Sequence, residues 1–363
     1  MILDRYIAGR FLMVFARVFA GFFGILLAID VVEQLRRFSD PGITLREAAV
    51  LAVMNVPSSL YNILPLMLIL SAIGLFLGLA RSSELVVIRG SGRSGIRFLI
   101  APVITALVIG GFAVAVLNPI VAATSKQYDV LSSGHARNGS VLSISEAGLW
   151  LRQGSAEGQT VIQAARANPD ATELFDVTFL TFAADGTPLA RIEAATARLD
   201  PGEWVLSAVK HWPLNADNPE RDALDQAETR VPTDLTRDTI RDSFGTPSAI
   251  AIWDLPGYIA GLERAGFSAR SHRVWMQMEF ALPLFLAAMV LIAAGFTMRH
   301  SRLGKSGTMV LLALLCGFVV FFLRNFGQVL GENGQIPILL AAWTPPIAAA
   351  LLALGLLLHV EDG

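Results

Sequence analysis

The chain has 363 residues, of which 54% are hydrophobic and 16% are charged, and its formal net charge at pH 7 is −2. These values exclude a soluble protein of ordinary composition, in which about a quarter of the residues are charged, and they give no reason to expect nucleic acid as a partner. The single cysteine, Cys316, excludes a disulfide framework and a cysteine-based metal site. Because the apolar residues concentrate at the two ends of the chain, we predict a membrane protein with an inserted globular domain.

Three apolar segments precede the inserted domain. Residues 11–32 are about as long as a bilayer is thick and too long for the core of a cleaved signal peptide. Residues 48–80 exceed the length that one straight span needs and contain Pro57 and Pro65, which predicts a kinked or broken helix. Residues 98–123 form the third predicted span.

The middle of the chain, residues 124–271, has the pattern of a globular β domain. Apolar and polar residues alternate in short runs at residues 148–152, 160–164, 177–183, 189–194 and 204–210. Turn signals such as Asp185-Gly186 and Pro201-Gly202 separate these runs. Short alternating strands predict an antiparallel sheet folded as a sandwich or a jelly-roll, and not a parallel βαβ sheet.

The end of this domain carries two further predictions. Residues 215–245 are rich in Asp, Arg, Pro and Thr and are predicted to be mostly loop. After them, Asp254 is placed to cap a short helix, with Pro256 near its first turn and Gly266 at its end. That amphipathic helix leads back to the membrane.

Three more apolar segments complete the chain, at residues 272–298, 307–328 and 337–358. The predicted fold is therefore a membrane protein with six transmembrane α-helices and an all-β jelly-roll domain inserted between the third and fourth helices. Its predicted parts are residues 1–123 with the first three helices, residues 124–271 with the β domain, and residues 272–363 with the last three helices.

The basic residues in the short loops predict the orientation of the chain in the membrane. One set of segments carries nine of them: Arg5, Arg10, Arg81, Arg89, Arg93, Arg97, Arg299, Arg302 and Lys305. The other set carries four: Arg36, Arg37, Arg46 and Arg324. Both termini are therefore predicted to lie in the cytoplasm, and the β domain, which follows an odd number of spans, on the opposite side.

No motif in the sequence supports catalysis. Residues 90–95, GSGRSG, match the dinucleotide-binding pattern by letter, but they lie between two membrane spans and follow no strand. Residues 303–306, LGKS, lack the first glycine of a phosphate-binding loop. The histidines are scattered along the chain: His135, His211, His272, His300 and His359. We predict a non-catalytic chain with no metal or cofactor of its own.

Residues 80–94 join the second and third spans on the predicted cytoplasmic side. Ser82 or Ser83 can cap a helix here, and Glu84 in its first turn suits the positive end of the helix dipole. From composition alone, a basic loop lying on lipid head groups is the favoured interpretation. A single exposed acid on a basic helix is nevertheless what docking into a basic groove of another protein would require.

Several stretches carry a resemblance to a known family: LDRYI at residues 3–7, SELVVIRGSGRS at residues 83–94, DVTF at residues 176–179, ALPL at residues 281–284 and AWTPP at residues 342–346. With six spans and a β domain after the third, the chain resembles the LptF/LptG permeases, the transmembrane subunits of the lipopolysaccharide export ABC transporter. GLWLR at residues 148–152 and EQLRR at residues 33–37 are similar to the LptG branch. Gly90-Ser91 departs from the pattern, because many relatives carry alanine before the next small residue.

The resemblance implies that residues 82–92 form a coupling helix, which receives the movement of a partner ATPase, LptB. The residues implied in this contact are Ser83, Glu84, Leu85, Val86, Arg89 and Gly90. Two copies of LptB would bind the ATP and Mg, beside an LptF-like second permease and LptC, and the β domain would connect to periplasmic LptA. The transported substrate would be lipopolysaccharide, in the inner membrane of a Gram-negative bacterium.

Lipid A carries phosphates and acyl chains, so its site needs cations near the outer head groups and an apolar wall. Arg36 and Arg37 fit the first need, with ordinary snorkelling of a helix end as the alternative. Arg324, in the outer part of the fifth span, is expected to face the bundle interior or a water-filled cavity, and it could instead pair with Asp30 or Glu279. The remaining predicted site residues are Asp30, Phe322 and Phe326.

Four alternatives stay open beside this assignment. The chain could be the LptF paralogue of the same complex. A lipoprotein-type ABC permease is less favoured, since its family pattern has four spans with the large domain after the first. A secondary transporter would show inverted repeats with matching broken helices, and the two triplets of spans show no such correspondence. A membrane-anchored periplasmic enzyme would need a catalytic set that the sequence lacks.

Overall fold

The computed structural model describes the chain over residues 2–37, 44–82, 84, 95–133, 141–145, 148–155, 158–168, 172–183, 185–216, 218–233, 235–236, 246–264, 268–298 and 306–362. These residues separate into two compact units. The helical unit comprises Met1–Asp129, Ile250–Trp253 and Arg270–Gly363, and the β unit comprises Val130–Ala249 and Asp254–Ala269.

The helices follow the apolar pattern of the sequence. In the described residues they are α1 (Ile2–Arg37), α2 (Leu45–Arg81), α3 (Gly95–Phe112), α4 (Asn118–Ser133), α5 (Leu255–Arg264), α6 (Arg270–Thr297), α7 (Ser306–Glu332) and α8 (Ile338–Asp362). The segments long and apolar enough to cross a membrane are Ile2–Arg37, Leu45–Arg81, Gly95–Tyr128, Arg270–Thr297, Gly307–Glu332 and Ile338–His359. The six predicted spans are therefore confirmed, and most are longer than the apolar runs alone indicate.

Helix α2 runs unbroken through both of its prolines. Of the two forms that the sequence predicts, the broken helix is therefore wrong, and the kinked helix stays a prediction. It begins with a capping box, in which the Glu47 N–H donates to Thr44 Oγ1 (3.3 Å) and the Thr44 N–H donates to the Glu47 carboxylate (2.8 Å). Pro57 and Pro65 lie inside the helix. In the most apolar 18-residue stretch of α2, which we call its apolar window, 61% of the residues are buried in the bundle. Neighbouring helices there can satisfy the backbone carbonyls that a proline leaves without a partner.

The third span contains an irregularity that the sequence does not indicate. A π-helical turn, Ala113–Leu117, joins α3 to α4. Within it, the Ala115 carbonyl accepts a hydrogen bond from the Trp253 indole N–H (3.2 Å). Just after it, the Asn118 side-chain oxygen accepts from the Ile252 N–H (2.9 Å). The widened turn is thus held by polar contacts from outside its own helix.

Helix α6 forms the centre of the helical unit. Its apolar window is 78% buried, and it packs against α2, α3, α7 and α8. At Gly110 of α3, an added Cβ would lie 2.5 Å from the Pro283 Cα of α6, so this close approach requires glycine. By contrast, the apolar window of α1 is 0% buried and that of α7 is 11% buried inside this chain.

The β unit contains one antiparallel sheet. Its described strands are β1 (Val141–Ser145), β2 (Gly148–Ser155), β3 (Gly158–Ala167), β4 (Glu173–Ala183), β5 (Pro188–Asp200), β6 (Glu203–Pro213) and β7 (Leu224–Pro232). The strand order in the sheet is the order in the chain, β1 to β7. Gly186 and Gly202 both have φ of +85° in the turns before β5 and β6, as the turn signals predict.

The strand order specifies the topology of the predicted β domain. The predicted antiparallel β domain is confirmed, and the five predicted strand runs lie in β2 to β6. Among the described strands, every neighbour in the sheet is also a neighbour in the chain, which is a meander. Short turns between successive strands favour this order, because they leave little chain for a crossover.

Strands β1 and β7 fall outside the predicted runs. The prediction of a loop over residues 215–245 is wrong for Leu224–Pro232, which is strand β7. The side chains of β7 are mostly exposed, so the strand shows no buried alternation in its sequence. It forms because its backbone pairs with β6, for example Val231 opposite Trp204.

The core of the β unit is built from alternate residues of the central strands. Its fully buried side chains include Ile162, Leu174, Phe179, Trp204 and Leu206. Phe179 and Trp204 meet edge to face with ring centres 6.4 Å apart. This burial explains why β3 to β6 are visible in the sequence as alternating runs.

Helix α5 begins where Asp254 predicts a cap. The Tyr258 N–H donates to the Asp254 carbonyl (3.0 Å), and Pro256 occupies the second helical position. The predicted end of the helix at Gly266 lies outside the described residues.

Candidate functional site

The N-terminal end of α1 packs closely against the C-terminal end of α2. An added Cβ on Gly74 of α2 would lie 3.2 Å from Val14 Cγ1. One turn further, a Cβ on Gly78 would lie 3.8 Å from Arg10 Nη2. Small residues four apart let two helices approach in this way in membranes. The Arg10 guanidinium therefore lies against the last turns of α2.

Four side chains at these helix ends form the Glu84 cluster: Tyr6, Arg10, Ser82 and Glu84. Arg10 Nη1 donates to both carboxylate oxygens of Glu84, at 2.6 and 2.7 Å. The Ser82 hydroxyl donates to Glu84 Oε1 (2.7 Å), and the Tyr6 hydroxyl donates to Glu84 Oε2 (3.1 Å). Arg10 also donates to the Tyr6 hydroxyl (2.9 Å), one helical turn away on α1.

The Glu84 carboxylate is fully hydrogen-bonded within the chain. A carboxylate has about four acceptor sites, and each oxygen of Glu84 accepts from two donors. The side chains of Arg10 and Glu84 are 30% and 32% exposed. The hydrogen bonds from Arg10, followed by the one from Ser82, hold the pKa of Glu84 below its usual range, so the carboxyl is ionised at neutral pH.

The structure differs from the prediction that Glu84 is a single exposed acid. Its charge is paired with Arg10, a partner that the sequence does not identify. The spacing of Tyr6 and Arg10 by four residues was the available signal, because it puts both on one face of α1. The other predicted coupling residues, Ser83, Leu85, Val86, Arg89 and Gly90, lie outside the described residues.

The two arginines predicted to bind phosphate lie at the C-terminal end of α1. Arg36 makes a two-pronged ion pair with Glu33, at 2.8 Å from Nη2 and 3.0 Å from Nε, and its side chain is 77% exposed. Arg37 donates to the Tyr128 hydroxyl (3.3 Å), which also accepts from the buried Gln34 amide (3.1 Å). Arg36 thus keeps a surface position, while Arg37 connects α1 to α4.

Asp30 is bound by α2. The Asn55 side-chain amide donates to Asp30 Oδ1 (2.8 Å), and Asp30 Oδ2 is buried without a hydrogen-bond partner among the described residues. Of the two acids predicted as alternative partners of Arg324, it is Glu279 whose charge acts on Arg324. Of the two alternatives, the structure therefore favours Glu279, while Asp30 is bound by Asn55.

Four side chains inside the bundle form the Glu279 cluster: Tyr61 of α2, Asn118 of α4, Glu279 of α6 and Arg324 of α7. Glu279 is 1% exposed, and the Tyr61 hydroxyl donates to its carboxylate. Asn118 and Arg324 lie close enough to interact electrostatically with the same carboxylate. The Arg324 guanidinium carbon also lies 5.3 Å from the centre of the Phe285 ring. A buried acid is thus supported from three other helices.

Phe322 and Phe326, the predicted apolar wall of the lipid site, lie on a different face of α7 from Arg324. Phe322 and Phe326 are 63% and 61% exposed, whereas Arg324 faces α6 at Phe285. Residues two positions apart on a helix point in different directions, and residues four apart share a face. Arg324 therefore lies on the inner face of α7, and the two phenylalanines lie on its outer face.

The described side chains offer binding and charge pairing as their chemistry. Among the described residues, no group of three or more His, Cys, Asp or Glu side chains is arranged to hold a metal ion. The Glu84 cluster and the Glu279 cluster each set an acid beside an arginine from another helix. Sequence reasoning did not identify Tyr61 and Asn118 as members, because their partners are more than a hundred residues away.

The whole chain is similar to proteins of one transport system. The sequence matches the family described as lipopolysaccharide export system permease LptF/LptG over residues 5–359. It is 27% identical to the lipopolysaccharide export system permease protein LptG of Escherichia coli strain K12 over 355 residues, which cover 97% of this chain and 94% of that relative. The protein of the same name from Haemophilus influenzae is 24% identical over 365 residues, covering 99% of each chain. With its six apolar helices and inserted antiparallel sheet, the chain belongs to the LptF/LptG family of lipopolysaccharide export system permeases.

Proposed function

We propose that the chain is the LptG-type subunit of a lipopolysaccharide exporter, an ABC transporter that extracts the lipid from the inner membrane and passes it to a periplasmic bridge. The observation that carries the proposal is the family match over residues 5–359. The two relatives at 27% and 24% identity are both named LptG, which favours that branch over the LptF paralogue.

In this proposal the chain is a non-catalytic subunit without a cofactor of its own. ATP and Mg would be bound by two copies of the partner ATPase LptB, and ATP hydrolysis there would drive transport.

The proposed location is the inner membrane, with both termini in the cytoplasm and the β unit in the periplasm. The excess of basic residues in the short segments on one side supports this orientation. Residues 123–271 carry 13 basic and 20 acidic side chains, a net charge of −7, and long segments cross a membrane largely regardless of charge. In the periplasm, the β unit would connect the exporter to LptC and LptA.

Lipopolysaccharide and an LptF-like second permease would contact the exposed faces of α1 and α7. These helices have 0% and 11% of their apolar windows buried within the chain, so lipid or another protein must cover them. At the end of α1, Arg36 and Arg37 would bind the phosphates of lipid A, which suits the guanidinium fork. On α7, the exposed rings of Phe322 and Phe326 would contact acyl chains.

The movement of the ATPase would enter the chain at Glu84 and the segment that follows it. Two features of the described residues support this role. Glu84 follows Arg81, the last residue of α2, by three positions, and α2 packs against the central α6. It is also ionised and a third exposed, so a basic surface of another protein can reach it.

Affinity purification of the tagged chain from the membranes of its own organism tests the assignment. We expect mass spectrometry to identify an ATPase and an LptF-like six-span protein in stable association with it. Recovery of an LptG-like partner in place of the LptF-like one would assign the chain to the LptF branch. Recovery of the intact chain without any ATPase would contradict the proposal.

A further inference from the structure

We propose that Tyr6 and Arg10 are positioning residues that fix Glu84 to the N-terminal end of α1, so that α1 follows the movement of the segment containing Glu84. This inference rests on the proposed function, in which Glu84 belongs to the contact with the ATPase. It extends that function by giving the moving segment a second point of attachment, besides its covalent connection to α2.

The contact joins parts of the chain that are far apart in sequence. Glu84 follows Arg10 by 74 residues and Tyr6 by 78 residues. The same carboxylate accepts from Ser82, which is the C-cap of α2. The end of α1 and the C-cap of α2 therefore meet at the carboxylate of Glu84.

The donors are arranged to transmit a displacement to the whole helix. Arg10 supplies charge-assisted hydrogen bonds of 2.6 and 2.7 Å, which are stronger than neutral ones. Tyr6 supplies a further hydrogen bond from the preceding turn of α1. Because two successive turns of one helix hold the same carboxylate, a shift of Glu84 acts on the helix backbone and not on a single flexible side chain.

The two parts of α1 differ in how firmly they are packed within the chain. At the end that holds Glu84, Ile7 and Phe11 are fully buried, and α1 approaches α2 closely at Gly74 and Gly78. The most apolar 18-residue stretch of α1, by contrast, is 0% buried, compared with 61% for α2 and 78% for α6. The packed end therefore follows Glu84, and few contacts within the chain hold the rest of the helix in place.

Substitution of Arg10 in the assembled exporter tests the inference. The chain, its ATPase and the second permease are reconstituted with lipopolysaccharide in proteoliposomes, and lipid release and ATP hydrolysis are both measured. Arg10→Ala is expected to leave assembly and ATP hydrolysis in place and to lower the lipid released per ATP by about fivefold, because the charged hydrogen bonds are lost. Arg10→Lys, which keeps the charge, is expected to restore most of that ratio. An Arg10→Ala exporter with the wild-type ratio would overturn the inference.

Arg17→Ala is the matched control, because it removes a positive charge from the same helix without touching Glu84. Arg17 donates to Met13 Sδ within α1 (3.2 Å), and we expect its substitution to preserve the ratio. An equal loss in both variants would contradict the specific role of Arg10.

If Arg10→Ala does not assemble, Tyr6→Phe tests the inference instead. A reduction of the lipid released per ATP by about twofold supports the inference, and an unchanged ratio opposes it. Failure of the proposed function would look different, because the unsubstituted exporter would then release no lipid with ATP.

Discussion

Two acids in the helical unit each interact electrostatically with an arginine from another helix, but in opposite surroundings. Glu279 is 1% exposed and is supported by α2, α4 and α7, whereas the Glu84 side chain is 32% exposed at the ends of α1 and α2. Removing a partner from a buried ion pair is costly, while an exposed pair contributes little to stability. The comparison predicts that substitutions in the Glu279 cluster act mainly on the stability of the bundle, and that substitutions in the more exposed Glu84 cluster act mainly on the proposed contact with the ATPase.

The largest effect is expected from Glu279→Ala. The substitution leaves Arg324 without its counter-charge and the Tyr61 hydroxyl without its acceptor in the middle of the bundle. We expect a loss of about 3 to 5 kcal/mol in the free energy of unfolding. Denaturant titration of the purified chain in detergent, followed by tryptophan fluorescence, measures this loss. Tyr61→Phe removes only the hydroxyl and should lower the free energy of unfolding by less, about 1 to 3 kcal/mol. A Glu279→Ala protein as stable as the wild type would contradict the contrast between the two acids.

Glu84→Arg is expected to act on transport and not on folding. It places two arginines together where the structure has an ion pair, and it removes the acid proposed to meet the ATPase. Lipopolysaccharide release should fall to the background level, while the free energy of unfolding should change by about 1 kcal/mol or less, as for other exposed pairs. Parallel measurements of release from proteoliposomes and of unfolding separate the two effects. Wild-type release from this variant would show that Glu84 has no part in coupling.

A smaller effect is expected at the other end of α1. Combined Arg36→Glu and Arg37→Glu substitutions reverse the charge offered to lipid A phosphates, and they also place an acid beside Glu33. We expect lipopolysaccharide photocrosslinking from neighbouring positions to fall by about tenfold, as the charged hydrogen bonds are lost. Arg46→Glu, at the start of α2, is the control for a general change of charge in this region. Equal crosslinking in the double variant and the wild type would remove these arginines from the lipid site.

The smallest effect is expected on the surface of the β unit. Arg230 of β7 pairs with Glu203 of β6 at 2.7 Å, and its side chain is 63% exposed. Arg230→Ala should change the free energy of unfolding by about 1 kcal/mol or less and leave lipid release unchanged. A larger loss of stability, measured by thermal unfolding of the full chain, would mean that exposure is not what distinguishes the Glu84 cluster from the Glu279 cluster.

The sequence predicts those helices and strands in which the pattern of apolar side chains reflects their burial. The spans are visible because a bilayer requires long apolar runs, and β3 to β6 are visible because alternate residues such as Phe179 and Trp204 are buried. Strand β7 is not visible, since its side chains are mostly exposed and only backbone pairing forms it. The meander order was also missed, because alternation indicates a sheet without specifying which strands are neighbours.

The polar sites were predicted only in part, for a related reason. Glu84, Arg36 and Arg37 were identified individually from their charge and position. Their partners depend on which helices meet: Arg10 reaches Glu84 because Gly74 and Gly78 let α1 approach α2. No local pattern encodes such a contact across 74 residues. The same holds for the π-helical turn Ala113–Leu117, which is held from outside its helix.

The most direct test of the account is ATP-dependent release of lipopolysaccharide by the reconstituted exporter. Proteoliposomes containing the chain, its ATPase, the second permease and labelled lipopolysaccharide are given ATP or a non-hydrolysable analogue, and the lipid that reaches a soluble periplasmic acceptor is measured. The account predicts transfer with ATP only, and loss of transfer when either this chain or the ATPase is omitted. Transfer that continues without this chain, or that proceeds equally with the analogue, would contradict its role as a permease driven by a partner ATPase.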